Sequence, residues 1–545
     1  IGFVYNNGGS LTANQDLGLK IATPCGTLVG QLLFGWLADV VGRKKMYGVE
    51  LMISASLLLS LAPPAPRCCC RLLLGVSPAG RELTRPGCAR AVIVATVGQA
   101  VAGHGPAVNI IGVLVMWRFI MGVGIGGDYP LSATISSEFA ATRFAVAVRS
   151  LSVVSRPPAL TLHLLLRMMI ATFWSQGYGQ LGAAIVAIVS LAAFKPQILS
   201  DPAGNADSLD YVWRLIIGCG AVPGAVALYF RLTYVHRNPG CCLLRLTPFV
   251  LQVPESPRYT LDIERNVKQA STDVDAFLQT GHYVQDTAPV VAVDTALDVP
   301  KASWKDFRAY FGQWKHGKVL LGTAYSWFAL DVAFYGLGLN SSIIFSAIGF
   351  GSVTSGTPAY NRYHTLYNNA VANIIITCAG LIPGFWAAFA LIDVWGRKPL
   401  CVPPRMPPLS LAASALTFLL PAHYSQLTGF IGLTITLCSM GFGYDKLKEN
   451  AVGAFVFLYC LTNFLQNYGP NSTTFVVPAE VFPTRYRSTA HGISGAQSPP
   501  TPARRPSQLP LTSFFLAAAS GKFGAIIAQV MAFKLKEYVP PERQS

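Results

Sequence analysis

Long apolar runs separated by short polar stretches make up most of the chain. An α-helix needs roughly 20 apolar residues to cross the hydrocarbon core of a bilayer, and the runs are close to that length. The pattern predicts membrane-spanning helices over residues 17–38, 109–136, 168–194, 212–232, 319–350, 367–392, 427–442, 452–477 and 521–533. Two shorter runs, 46–53 and 91–103, would form one further span if they were joined.

Basic residues mark alternate connections between the predicted spans. These connections are residues 43–45, the segment at Arg143, residues 258–318, residues 397–398 and the segment at Arg485 and Arg487. The positive-inside rule places basic connections in the cytosol, so Lys- and Arg-free stretches such as 201–210 lie on the other side. Residues 1–16 contain no Lys or Arg and are predicted to form a short non-cytosolic loop.

Two sequence patterns occur twice, in the same order, in the two halves of the chain. Residues 35–44 recur as residues 390–398, and residues 138–143 recur as residues 480–485. Internal duplication of this kind is typical of transporters built from two helical bundles. We therefore predict three parts: an N-terminal bundle over 1–257, a cytosolic linker over 258–316 and a C-terminal bundle over 317–545.

The repeated patterns place acidic and basic side chains at the predicted cytosolic ends of helices. Such groups can form ion pairs between helices, or contacts with helix ends, which hold two bundles together and break when the bundles rock. We interpret the following residues as a conformational latch: Asp39, Arg43, Glu138, Arg143, Asp393, Arg397, Glu480 and Arg485. The alternative is that these charges only set the topology.

Composition agrees with a multi-pass membrane protein. Of the 545 residues, 52% are hydrophobic and 12% are charged, whereas a soluble protein carries about a quarter charged residues. The net charge of +16 would suggest a nucleic-acid partner in a soluble chain, but positive cytosolic loops explain it without one. The 12 cysteines lack metal-ligand spacing, so no metal or cofactor is expected.

The sequence also argues against an enzyme. It contains no glycine-rich phosphate-binding loop of the type found in ATP-driven pumps, and no nucleophile stands beside a recognisable base.

One carboxylate stands out within the apolar run 319–350. An aspartate at the centre of a bilayer costs roughly 2.5–3.5 kcal/mol on insertion scales, so Asp331 requires a compensating role. Trp327, Asp331 and Tyr335 are spaced four residues apart, which places them along one face of a helix. An aromatic ring, an acid and a phenol on one face favour a solute path. The alternative is an aspartate that only packs against a neighbouring helix.

Several motifs resemble one transporter family. They are residues 126–132 (Gly-Gly-Asp-Tyr-Pro-Leu-Ser), 176–180, 254–258, 327–340, 467–475, 478–495 and 521–525. Together they resemble the major facilitator superfamily and, more narrowly, the proton-coupled inorganic phosphate symporters of fungi and plants. The motif at residues 254–258 is also found in sugar porters. The motif at 126–132, together with the Trp327 helix and the Asn471 segment, is more specific for the phosphate symporters. The resemblance implies an all-α polytopic membrane protein whose fold consists of two six-helix bundles. It also implies a location in the plasma membrane.

The resemblance also implies a site between the two bundles. Phosphate would be held by Tyr129, Gln176, Trp327, Asp331, Tyr335, Asn471 and Lys522. Tyr, Trp, Gln and Asn can donate hydrogen bonds to phosphate oxygens, and Lys522 supplies positive charge. Asp331 would bind phosphate while protonated, which couples a proton to the anion. Asp128 is the second candidate for proton coupling, or else packs against Arg118.

Five stretches depart from the family pattern: 54–90, 144–166, 234–252, 401–425 and 497–519. They contain no lysine but seven of the 12 cysteines, and the last interrupts the helix expected to carry Lys522. We interpret them as translated introns, the alternative being genuine loops. The hypothesis requires GT and AG at their borders in the genomic DNA, and absence of these at most borders would contradict it.

The family's first helix would precede Ile1 and its last would follow Lys534. The sequence therefore predicts a fold that lacks both of these helices.

The function predicted from these observations is proton-driven uptake of inorganic phosphate, with phosphate, protons and the lipid bilayer as partners. Four alternatives stay open on the sequence alone. The chain could move glycerophosphodiesters, move another organic anion, sense phosphate without transporting it, or be an inactive product that contains intron translations.

Overall fold

A computed structural model of the chain describes residues 2–5, 11–41, 46, 89–103, 109–150, 159–200, 206–232, 303–350, 356–394, 425–494 and 520–538. The regular secondary structure in these residues is helical, as the apolar runs predict. Of the five departing stretches, 234–252 and 497–519 lie outside the described residues, and so do nearly all of 54–90 and 401–425.

The helices of the N-terminal part are α1 (Gly2–Tyr5), α2 (Ala13–Val41), α3 (Ala89–Val101), α4 (Ile110–Ser150), α5 (Ala159–Ala193), α6 (Lys195–Ser200), α7 (Ala206–Cys219) and α8 (Ala221–Leu232). Helices α4 and α5 extend from either side into the departing stretch 144–166.

The C-terminal part begins with α9 (Trp304–Phe311), α10 (Trp314–Gly338), α11 (Ser341–Ala347), α12 (Pro358–Ile376) and α13 (Ile382–Val394). It continues with α14 (Ser425–Phe442), α15 (Tyr444–Asn450), α16 (Val452–Gln466), α17 (Ser472–Val481), α18 (Arg487–Ser494) and α19 (Ser520–Tyr538). Two π-helical segments, Thr377–Leu381 and Asn467–Asn471, join α12 to α13 and α16 to α17.

Five helical stretches of the described residues are long and apolar enough to cross a membrane. They are Ala13–Val41, Ile110–Ile135, Gln176–Ala193, Asp207–Val226 and Pro358–Phe389, and the pair α14–α15, bent by 70°, would make a sixth if counted as one span. The predicted span 319–350 is interrupted after Gly338, so it corresponds to α10 followed by α11. The spans 452–477 and 521–533 correspond to α16 with α17 and to α19. Helices α10 and α19 carry polar side chains on their buried faces, which lowers their hydropathy, whereas α16 and α17 have 15 and 10 residues and are each too short to span alone.

The non-cytosolic loop predicted over residues 1–16 is shorter in the structure, because α2 starts at Ala13. The backbone N–H of Thr12 donates to Oε1 of Gln15 at 3.1 Å, and the Thr12 carbonyl accepts from Asp16 N–H at 3.0 Å. This is one half of a capping box, in which the side chain at the third helical position satisfies an otherwise unpaired backbone donor. With this cap, α2 begins about one turn before residue 17, where hydropathy predicts the start of the first span.

The end of the predicted linker is folded against the C-terminal part. The side chains of Phe307 and Phe311 on α9 are buried, and they pack with Phe482 and Tyr486. Ser303 caps α9 by accepting from Asp306 N–H. Because α9 buries aromatic rings beside α18, the chain is anchored before α10 begins at Trp314.

Helices α2 and α4 approach each other closely through glycines. A Cβ atom at Gly26 would overlap the backbone carbonyl of Phe119, and one at Gly126 would overlap that of Thr27. Small residues at helix crossings let backbones approach, which replaces the hydrophobic driving force that is missing within a bilayer. Helix α2 therefore has a fixed position within the N-terminal part.

The same helix also packs on the C-terminal part, against α18 and α19. A Cβ atom at Gly492 on α18 would overlap the Gln31 carbonyl oxygen. A Cβ atom at Gly35 on α2 would lie only 2.8 Å from the Ser488 carbonyl oxygen. Helix α2 is consequently a direct connection between the two halves.

We expect Gly26→Ala to destabilise the protein because the added methyl group meets backbone that cannot turn aside. Overpacking typically costs about 1–3 kcal/mol, so the unfolding temperature in detergent should fall by several degrees. Gly18→Ala is the matched control on the same helix, because its Cβ would meet only Val115 Cγ2 at an ordinary 3.8 Å. Equal unfolding temperatures for the two variants would contradict the close-packing argument.

Candidate functional site

Helix α10 places Trp327, Asp331 and Tyr335 along one face, as their spacing predicts. Trp327 is 4% exposed and Asp331 is 3% exposed, while Tyr335 is partly buried. The face is turned toward α19 and α18, which pack against α10. The costly carboxylate of Asp331 therefore lies in the protein interior, away from lipid.

Lys522 supplies the partner that the buried carboxylate needs. Its Nζ atom donates to Asp331 Oδ2 at 3.0 Å and to the hydroxyl oxygen of Tyr335 at 3.0 Å. Lys522 is 2% exposed, so the ion pair is shielded from water. The stretch 497–519 was expected to interrupt delivery of Lys522, but the structure brings Lys522 to the carboxylate because α19 starts at Ser520.

The N-terminal half contributes an aromatic face to the same cation. Lys522 Nζ lies 5.2 Å from the centre of the Tyr129 ring and 4.6 Å from the centre of the Tyr335 ring. Tyr129 is on α4 and Tyr335 is on α10, so the cation lies where the two halves meet. Rings within about 6 Å stabilise a cation through their quadrupoles.

Trp327 and Tyr129 belong to one apolar cluster beside the ion pair. The cluster contains Ala133, Trp327, Leu381, Phe385, Phe475, Val476 and Ala479, with Tyr129 packed against it. Residues from α4, α10, α13 and α17 therefore enclose one side of the site, which keeps the local dielectric low and strengthens its electrostatic interactions.

Asn471 lies at the end of the π-helical segment before α17. Its Nδ2 atom donates to Oδ1 of Asn467 at 2.7 Å, and Asn467 Nδ2 donates to the carbonyl of Asn463 at 2.7 Å. All three amides are at most 9% exposed. π-helical segments inside α-helices occur frequently at functional sites because the wider turn redirects side chains.

Gln176 and Asp128 are on α5 and α4, each adjacent in sequence to a residue that packs in the site region. Gln176 is partly exposed on α5, beside Gly177, which packs against Phe385 of the apolar cluster. None of the described hydrogen bonds links Gln176 to Asp331 or Lys522. Asp128 is half-buried next to Tyr129 on α4. Arg118, its possible packing partner, donates from Nη1 to the Leu19 carbonyl at 3.0 Å.

His491 is a residue of the site region that the sequence analysis missed. It is 1% exposed, and its ring meets the rings of Trp327 and Phe475 edge to face, with centres 5.4 and 5.1 Å apart. Its Nε2 atom is 3.2 Å from the Phe475 carbonyl. The signal available in the sequence was the high density of polar residues in the segment that forms α18. The structure shows that all of them are buried.

Asp39 joins the two halves at the end of α2. Its Oδ2 atom accepts hydrogen bonds from the backbone N–H and the hydroxyl of Thr489, both at 2.7 Å, and Oδ1 accepts from Ser488 N–H at 3.3 Å. Asp39 therefore caps the N-terminus of α18, where a negative charge is favoured by the helix dipole. This is a helix-end contact of the type expected for a latch.

Arg485, a second residue predicted for the latch, donates from Nη2 to Asp306 Oδ2 at 2.6 Å. That contact joins the segment before α18 to α9. Glu480 is on α17. Side-chain positions lie outside the described part for five of the predicted latch residues: Arg43, Glu138, Arg143, Asp393 and Arg397.

Known transport proteins are similar in sequence to most of this chain. A family model described as "Sugar (and other) transporter" matches residues 241–498. A repressible high-affinity phosphate permease of Neurospora crassa is 38% identical and the alignment covers 91% of this chain and 70% of that protein. The inorganic phosphate transporter PHO84 of Saccharomyces cerevisiae is 37% identical over 97% of this chain and 70% of that protein.

A plant relative and a solved structure complete the comparison. Inorganic phosphate transporter 1-2 of Oryza sativa is 33% identical over 96% of this chain and 75% of that protein. The structure of the major facilitator superfamily proton:xylose symporter XylE is 16% identical, with a TM-score of 0.48, and covers 97% of this chain and 86% of XylE.

We expect Lys522→Met to destabilise the protein because it leaves the Asp331 carboxylate buried without a partner. Removing one member of a buried ion pair costs about 3–5 kcal/mol. The double variant Asp331→Asn/Lys522→Met should be less destabilised than the sum of its single variants, since no unpaired charge remains. Unfolding in detergent would measure all three free energies.

The matched control for this cycle is Lys534→Met, which removes an exposed lysine from the same helix and should change stability little. Strictly additive effects of Asp331→Asn and Lys522→Met would contradict energetic coupling of the pair.

Proposed function

Because the chain belongs to the inorganic phosphate transporters of fungi and plants, within the major facilitator superfamily, we propose that it takes up inorganic phosphate together with protons across the plasma membrane. It is a multi-pass membrane protein and a transporter, not an enzyme. The observation that carries the proposal is the buried contact of Lys522 with Asp331, Tyr335 and Tyr129 at the junction of the halves.

The charges of the site explain why phosphate and a proton would travel together. With Asp331 ionised, the pair with Lys522 is neutral, and adding phosphate would bury an uncompensated negative charge. With Asp331 protonated, Lys522 is released to make charge-assisted hydrogen bonds to phosphate oxygens. Binding of the anion therefore favours uptake of a proton by Asp331, and loss of that proton to the cytosol would let Lys522 pair with Asp331 again.

Neutral donors complete the proposed phosphate site. The hydroxyls of Tyr129 and Tyr335 and the indole N–H of Trp327 come from the faces that enclose Lys522. The amides of Asn471 and Gln176 would add further donors as the halves close on the anion. Asp128, adjacent to Tyr129, is the proposed second carboxylate for proton movement.

Alternating access requires that the halves move relative to each other. We take residues 1–257 and 317–545 as the two moving bundles and 258–316 as the linker between them. In this scheme the contact of Asp39 with α18 holds the cytosolic side closed, and it breaks when the path opens inward. Arg485 and the other predicted latch residues would act at the same side.

The central test is uptake of labelled phosphate by cells that lack their own phosphate transport. Asp331→Asn, which keeps the size of the side chain but cannot bind and release the proton, should lower proton-dependent uptake by at least about tenfold, a loss equivalent to 1.4 kcal/mol or more. Asp207→Asn is the control, because Asp207 is an exposed carboxylate at the start of α7. Normal uptake by Asp331→Asn would refute its role.

The same cells separate the other candidate functions. Uptake of a glycerophosphodiester or another organic anion in place of phosphate would point to that substrate. Phosphate binding by the purified protein without uptake would favour a sensor. An expressed protein that neither binds nor moves phosphate would favour an inactive product.

The latch has its own test in cysteine labelling. Ser488 is fully buried beside Asp39, so Ser488→Cys should react slowly with a thiol reagent applied from the cytosolic side. Adding Asp39→Ala should speed that reaction several-fold because the helix cap is lost. Gln313→Cys, on an exposed residue before α10 whose side chain makes no cap hydrogen bond, should react equally in both backgrounds, and an unchanged rate at position 488 would count against a latch.

A further inference from the structure

Lys20 is a charged residue within the predicted first span that neither the sequence analysis nor the proposed phosphate site uses. Its Nζ atom donates to Asp16 Oδ2 at 2.8 Å, one turn earlier on α2, and to Asn340 Oδ1 at 3.0 Å. Asn340 follows the end of α10, so the second contact joins the N-terminal half to the C-terminal half. The Lys20 side chain is 17% exposed and that of Asp16 is 34% exposed.

The contact continues into the protein as a chain of hydrogen bonds. Asn340 Nδ2 donates to the Gly336 carbonyl at 2.8 Å and to Gln529 Oε1 at 3.3 Å. Gln529 on α19 is 2% exposed, and its Nε2 atom donates to the Tyr335 carbonyl at 2.8 Å. Tyr335 is the residue whose hydroxyl contacts Lys522. The hydrogen bonds therefore run from Lys20 to the backbone carbonyl of Tyr335, a residue whose side chain belongs to the candidate phosphate site.

The position of Lys20 on α2 sets the side of the membrane on which this contact lies. Asp39, which contacts α18, is near the end of α2 that leads into the basic segment 43–45, so that end is cytosolic by the positive-inside rule. Lys20 is 19 residues earlier, a distance of about 28 Å along a helix. Helix α2 thus contacts the C-terminal half at both ends, and Lys20 is at the outer end.

Both contacts cannot persist while the halves rock, because α2 is held rigidly against α4 by the glycine contacts. Opening the outer side must separate Lys20 from Asn340. The ammonium then keeps only the more exposed Asp16 as a partner and has N–H donors free for an anion. A partly exposed lysine attracts anions, and lysine is a frequent phosphate ligand.

We propose that Lys20, Asn340 and Gln529 form the outer gate of the phosphate path, and that Lys20 binds the incoming anion when this gate opens. The anion-binding part rests on the proposed transport of phosphate, whereas the gate itself can be examined without transport. Closure of the gate re-forms the Lys20–Asn340 contact behind the anion. The anion then moves toward Tyr335 and Lys522.

The transport experiment compares Lys20→Gln with Lys20→Arg. Loss of the charge should raise KM for phosphate about fivefold, as expected for a partly exposed charge pair, with kcat unchanged or higher. Lys20→Arg should restore KM. Lys448→Gln is the control: it removes an exposed lysine from α15, within the C-terminal half and outside the Asn340–Gln529 chain. An unchanged KM in Lys20→Gln would overturn the anion-binding role.

The gate experiment uses Ala528→Cys as a reporter on α19. Ala528 is 8% exposed and its Cβ faces Gly336, at the level of the gate. Labelling from outside by a membrane-impermeant thiol reagent should be several-fold faster when Lys20→Gln is added, whereas Lys448→Gln should leave it unchanged. Equal rates would overturn the gate.

The two experiments separate failure of this proposal from failure of the proposed function. If the unaltered protein takes up no phosphate, the transport function is wrong, and the labelling rates still decide whether the gate exists. If the unaltered protein takes up phosphate while Lys20→Gln changes neither KM nor labelling, the gate proposal is wrong and the transport function stands.

Discussion

A buried ion pair cannot lose one partner without a large electrostatic cost, and the centre of this protein is organised by that constraint. Asp331 and Lys522 are each at most 3% exposed, so each charge depends on the other. The constraint fixes α10 against α19, and it brings the Tyr335 hydroxyl and the Tyr129 ring to the same cation. In the proposed mechanism an anion binds Lys522 when the Asp331 carboxylate is protonated, which would link phosphate binding to a proton.

Helix α2 transmits this local constraint to the whole molecule. It is fixed in the N-terminal half by backbone contacts with α4 and touches the C-terminal half at both ends. At the cytosolic end the partner is the N-terminus of α18, and at the outer end it is Asn340 after α10. Because α10 and the α18–α19 region also carry Asp331, His491 and Lys522, we expect occupancy of the proposed site to be coupled to the position of α2.

Sequence reasoning predicted best what depends on local spacing. Apolar run length located the helices and gave both ends to within about five residues for 17–38, 427–442, 452–477 and 521–533, whereas 168–194, 319–350 and 367–392 differ by about ten at one end. Four-residue spacing placed Trp327, Asp331 and Tyr335 on one face. Lys522 was identified only through family resemblance, because the stretch 497–519 interrupts its helix in the sequence. The Thr12–Gln15 cap is a local signal that hydropathy does not measure, so the start of α2 was predicted too late.

Contacts between the halves are of another kind, and periodicity contains no information about them. Lys20 meets Asn340 across 320 residues, and Asp39 meets Thr489 across 450. Such pairs depend on how two bundles face each other, whereas a hydrophobic pattern specifies only which face of a helix is buried.

The available signal was energetic: a charge within an apolar span must find a compensating partner. Applied to Asp331, this argument led to the proposed phosphate site. Applied equally to Lys20, it leads to the proposed outer gate, whose hydrogen bonds run through Asn340 and Gln529 to the backbone carbonyl of Tyr335, the residue whose hydroxyl contacts Lys522. Cations at the two ends of this polar region would give an anion successive partners of the right sign, which lowers the cost of moving it through the protein interior.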